Sequence, residues 1–103
     1  MNQFVLHPEA YADLNEIWDY IASDNLDAAD RVLDELYNAI RSLVSLPNQG
    51  HERPDLTHRR LRFQLVREYF IAYAPDEKPL LVIGVLHGRR SPRVIASILE
   101  RRG

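Results

Sequence analysis

The run Leu80-Leu81-Val82-Ile83-Gly84-Val85-Leu86 limits what this chain can fold into more than any other stretch. It is too short and too rich in β-branched residues for a long helix, and reads as a strand buried on both faces. Side chains alternate across a strand, so His87 is expected on the face of Leu81, Ile83 and Val85, with Leu80, Val82, Gly84 and Leu86 opposite. Gly88 ends the strand and Arg89-Arg90 follow. Ser91-Pro92 then supplies an N-cap and a first-turn proline for a new helix. A central strand thus ends in a histidine and two arginines at the mouth of a helix, and function should be sought there.

The remaining elements follow in order. A strand at residues 3–6 precedes a helix opened by Pro8, with Glu9 at its positive end. Ala10, Leu14, Ile17 and Ile21, flanked by Tyr11, Trp18 and Ala22, form its apolar stripe, which places Trp18 in the core. Ser23-Asp24-Asn25 stops it. Asp27 is the expected cap of a second helix, with Asp30 in a capping-box-like position. Ala29, Val32, Leu33, Leu36, Ile40, Leu43 and Val44 recur at helical spacing until Pro47. The two helices form an antiparallel hairpin whose stripe covers a sheet.

Residues 48–58 read as a loop, punctuated by Gly50 and Pro54. From Arg59 the period drops to two. Leu61, Phe63 and Leu65 alternate with Arg60, Arg62 and Gln64, a half-buried strand with one polar face. Residues 69–74 and 80–87 are the next strands, joined through Pro75-Asp76-Glu77-Lys78-Pro79, whereas Arg67-Glu68 lacks the usual turn residues. Val94, Ile95, Ile98 and Leu99 mark a short C-terminal helix, with Arg101 and Arg102 at its negative end. The expected fold class is α+β: a short N-terminal strand, a helical hairpin, an antiparallel β-meander and a short C-terminal helix.

A length of 103 residues allows one domain, spanning 1–103. The longest apolar run falls far short of the ~20 residues that cross a bilayer, and no signal-peptide pattern opens the chain, so no membrane role is expected. With no cysteine there is no disulfide or thiolate site, which fits a cytoplasmic location. His7, His51 and His58 have no ligand spacing, so no metal or other cofactor is expected. Charge is divided: residues 1–50 carry two basic and nine acidic residues, a net of −7, and residues 51–103 carry eleven basic and six acidic, a net of +5. Ten of those eleven are arginines, the residue suited to bidentate contacts with phosphate and carboxylate. If the hairpin covers one sheet face, Arg62 and Gln64 are expected on the other, which a short helix can cover only in part. The rest would be an apolar, cationic groove fitted to an amphipathic, acidic partner segment.

The ordered set of PEAYADLNEIWDYIA after a short strand, a second helix ending before Pro47, REYFIAYAPDE, and VLHGRR leading into Ser91-Pro92-Arg93 resembles the RelE/ParE superfamily of bacterial type II toxins. The closest similarity is to the ParE branch. The resemblance implies a small cytoplasmic toxin neutralised by a cognate antitoxin, whose C-terminal segment wraps around it and through which it associates indirectly with DNA. ParE-type toxins poison DNA gyrase. On that reading the chain is a binding protein, with Arg60, Arg62, Arg89, Arg90 and Arg93 contacting an acidic surface or DNA phosphate. RelE-type relatives cut mRNA in the ribosomal A site. The alternative is therefore a metal-independent endoribonuclease using His87, Arg62, Arg67 and Arg89, with Glu68 beside them, to activate a ribose hydroxyl and hold phosphate charge. Many RNA-cutting relatives place a lysine, tyrosine or histidine near the C-terminal end. The Leu99-Glu100-Arg101-Arg102-Gly103 ending here departs from that pattern and weakens the nuclease reading. A third reading is an inactive interaction module.

Overall fold

The computed structural model describes residues 3–103. Its elements are β1 (Phe4–Leu6), α1 (Pro8–Ala22), α2 (Leu26–Ser45), β2 (Arg62–Val66), β3 (Tyr69–Ala74), β4 (Leu80–His87) and α3 (Pro92–Arg101). The fold is α+β, with sheet order β1-β4-β3-β2. The doubly apolar β4 takes an interior position, paired parallel with β1 and antiparallel with β3, and β2 completes the meander.

Pro8 is the first residue of α1, and His7 Nδ1 accepts the Glu9 N–H at 3.1 Å. The cap of α2 is Asn25, whose side-chain oxygen accepts the Ala28 N–H at 3.0 Å. Asp27, the cap expected from sequence, instead lies in the first turn, where its charge complements the helix dipole. Both helices pack on one face of the sheet: Leu14, Ile17, Leu36, Ile40 and Leu43 meet Ile71, Tyr73, Val82 and Val85. Trp18 is outside this core. Half-buried at the α1–α2 seam, it donates its indole N–H to Asp30 at 2.9 Å.

The other face is closed more fully than the sequence suggests. Ile95 and Leu99 of α3 cover part of it, and Leu56 and Leu61, from the segment before β2, cover the rest over Phe63, Ala72, Ile83 and Leu86. That segment is anchored by paired backbone hydrogen bonds between His51 and Phe63. Tyr73 anchors it too, accepting the Gly50 N–H at 2.9 Å and donating to the Pro47 carbonyl at 2.7 Å. The open groove expected here is therefore filled. Arg62 and Gln64 stand opposite Tyr73 and Ile71, so they lie on the hairpin face rather than on this one.

The expected alternation of β4 also fails halfway. Pairing with β3 runs Leu81–Ala74 and Val82–Tyr73, then resumes as Gly84–Ala72 and Val85–Ile71, leaving Ile83 as an extra residue. This bulge reverses the phase of the strand. Leu80, Val82 and Val85 face the hairpin, while Leu81, Ile83 and Leu86 face α3. His87 consequently joins Val85 and Tyr69, not Leu81 and Ile83. The β2–β3 connection is a tight turn despite its unsuitable sequence, with Arg67 in the left-handed region at φ 54°. Among the described residues no helix is long and apolar enough to cross a membrane.

Candidate functional site

The phase reversal brings the end of β4 to the side of α1. There the strand, the following turn and α1 enclose a groove of about 370 Å³ lined by Asp13, Glu16, Ile17, Tyr20, Tyr69, Val85, His87 and Arg90. Ile17, Tyr69 and Val85 are its buried apolar floor, whereas Tyr20 is 80% exposed at the rim. Glu16 and Arg90 set opposite charges on its two sides.

His87 is held in one orientation. Its Nδ1 accepts the Arg89 backbone N–H at 3.0 Å, which leaves the proton of a neutral ring on Nε2, 3.2 Å from a Glu68 carboxylate oxygen. The ring meets Tyr69 edge-on with centroids 5.4 Å apart. Glu68 also fixes the turn beyond the strand, its carbonyl accepting the Gly88 N–H at 2.7 Å. Burial, helped by the Glu68 charge, raises the Tyr69 hydroxyl above the usual phenol range. A histidine, a carboxylate and a tyrosine therefore share one small site with Arg90 at its edge.

The arginines named from the sequence divide by partner. Arg62 donates to the Gly50 carbonyl at 2.7 Å, and it lies at the end of β2 remote from His87. Arg67 is close in sequence to Glu68 but turns away to Glu35 on α2. Neither guanidinium joins His87. Arg60 is almost fully exposed, 3.5 Å from Asp76. Arg89, Arg90 and Arg93 are exposed and form no ion pair among the described residues. They cluster where β4 passes into α3, whose first turn is capped by the Ser91 hydroxyl on the Val94 N–H at 3.2 Å. Among the described residues no group of acidic and histidine side chains could hold a metal ion.

Two residues that sequence reading missed stand behind the site. Asp13 and Arg102, 89 positions apart, form a two-pronged ion pair with contacts of 2.6 and 3.0 Å. Their side chains are 12% and 9% exposed. Asp13 also accepts the Val85 N–H at 3.0 Å, and Arg102 donates to the Ile83 carbonyl at 3.2 Å. They thereby satisfy the edge of β4 beyond Val82, where β1 has already ended. Its hydrogen bonds to the Asp13 carboxylate raise Arg102 above even its ordinary high value. Gly84 makes room for the pair: a Cβ there would fall 2.5 Å from an Arg102 nitrogen. The one available signal was position, since Asp13 borders the α1 stripe one turn from Ala10 and Ile17.

A family model described as the ParE toxin of type II toxin-antitoxin system, parDE, matches residues 4–92. No curated protein matches the chain.

Proposed function

The chain belongs to the ParE toxin family of type II toxin–antitoxin systems, and from that premise we propose that it is a cytoplasmic gyrase poison silenced by a cognate antitoxin. The family implies the antitoxin; the gyrase target is part of the proposal. The observation that carries it is the cluster Arg89, Arg90 and Arg93: three exposed arginines within five residues, beside an apolar-floored groove, with no ion-pair partner of their own among the described residues. Guanidinium groups in that state are available to an acidic protein surface or to DNA phosphate. The same cluster would draw in an acidic antitoxin segment, with apolar anchors entering over Ile17, Tyr69 and Val85. Association with DNA would then run through the antitoxin.

The test is a supercoiling assay with purified chain and gyrase. Loss of supercoiling with accumulation of cleaved DNA supports the reading, and unaffected gyrase activity rejects it. A second reading, RNA cleavage on the ribosome, is favoured by one observation: His87, Glu68 and Tyr69 meet in a site edged by Arg90. His87→Asn separates the two. A nuclease would lose cleavage of translated mRNA, whereas a gyrase poison would keep its effect on supercoiling.

A further inference from the structure

β4 is apolar on both faces, so its hydrophobic pattern alone does not select a register. Continued without the bulge, the pairing that begins at Leu81–Ala74 would set Ile83 opposite Ala72, Val85 opposite Phe70 and Leu86 opposite Tyr69. Every core-facing position before His87 would still hold an aliphatic residue or Gly84. His87 would then face α3, and the groove beside α1 would lose both His87 and Val85. Something outside the pattern must favour the observed register.

We propose that Asp13 and Arg102 are positioning residues that select the bulged register of β4 and thereby set His87 and Arg90 along the α1 groove. The argument rests on what each prong touches. The bulge leaves the Ile83 carbonyl and the Val85 N–H directed past the end of β1. Arg102 takes the first and Asp13 the second, while the two charges satisfy each other in a nearly dry site. Slipping by one residue would carry these two backbone groups away from the edge and set those of Gly84 there. The ion pair would then have to remake both bonds to a differently spaced N–H and carbonyl, and any bond left unmade in so dry a site is costly. Gly84 is the residue at the bulge that admits the guanidinium. The charge facing Arg102 from α1 is reinforced by Glu9, 4.0 Å from its Nε. Two segments distant in sequence, α1 and the end of α3, thus converge on the two peptide units that flank Gly84 in the central strand. The functional consequence, a groove presented for binding, rests on the reading proposed above; the register itself does not.

The register is read by NMR on the full chain. In the native protein, Val85 should show cross-strand contacts to Ile71, and the His87 ring to Tyr69. In Arg102→Met, which keeps bulk and removes charge and donors, these contacts should give way to Val85–Phe70 and Leu86–Tyr69. Arg102→Lys, with one prong instead of two, should show both sets of signals. If Arg102→Met does not fold, Asp13→Asn decides, because it retains an acceptor for the Val85 N–H and should also populate both registers. A folded Arg102→Met, or a folded Asp13→Asn in its place, that keeps only the Val85–Ile71 pairing would overturn the assignment. No gyrase is present in this measurement, so a native chain inactive on gyrase counts against the proposed target and not against the register.

Discussion

Arg67 grips Glu35 through two contacts of 2.7 Å, tying the β2–β3 turn to α2. The grip coexists with a left-handed backbone at Arg67, a conformation that a side chain disfavours and glycine accepts freely. Arg67→Ala should therefore destabilise more than Arg67→Gly, because alanine loses the ion pair and keeps the strain. Equal midpoints of urea unfolding for the two variants would contradict this.

The same pair carries a pH signature. The Arg67 hydrogen bonds hold the Glu35 carboxyl below its ordinary value of 4.5. A carboxylate depressed in the folded state stabilises above that value, and the contribution is lost as pH falls through the folded-state value. The gap in urea midpoint between the native chain and Glu35→Gln should narrow between pH 7 and about pH 3.

Leu36 is fully buried on the hairpin face, while Leu65, on the edge strand, is 54% exposed. Leu36→Ala should cost ~2–5 kcal/mol in denaturant unfolding. Leu65→Ala should cost less than ~1 kcal/mol, since little of its surface leaves water on folding.

Tyr73 is fully buried, and its hydroxyl serves two backbone groups of the Pro47–Gly50 loop. Tyr73→Phe leaves the Gly50 N–H and the Pro47 carbonyl without partners and should cost ~1–3 kcal/mol. Burial raises this phenol above 10.0. The folded state then holds its proton more tightly than the unfolded chain, so stability falls as pH rises past the unfolded value. Titrated above pH ~10, native protein should lose stability more steeply than the Phe variant.

Charge reversal at Arg89, Arg90 and Arg93 tests the proposed surface. These side chains are exposed and lie outside both cores, so each change to Glu should move stability by no more than ~0.5 kcal/mol. Inhibition of gyrase should weaken, and what remains should depend less on salt. Unchanged inhibition by the triple variant would remove the cluster from the interface.

Much of this architecture was legible because burial wrote it in periodic form. Leu36 and Ile40 announce the hairpin stripe, and the run before His87 announces an interior strand. What was not legible depends on contacts without period. Leu56 seals the second face from within a loop, where no repeat marks it. The bulge at Ile83 is invisible because either register satisfies an apolar pattern. Arg62 and Arg67 looked like site residues since sequence shows the charge and not its partner; one serves a backbone carbonyl and the other an acid on α2. The candidate site was half legible: His87, Arg89 and Arg90 were singled out, and the α1 side of the groove was not.

The pairing of β1 with β4, in register from Phe4–Leu80 to Leu6–Val82, joins the first strand to the penultimate element. Such distant partners make for slow closure, and among the described residues β1 pairs with no strand but β4. On the ribosome, β1 and the helical hairpin must therefore wait, lacking a completed sheet, until β4 has been synthesised. The Asp13–Arg102 contact waits longer still. A nascent copy thus lacks the assembled groove until β4 and the segment reaching Arg102 have both emerged.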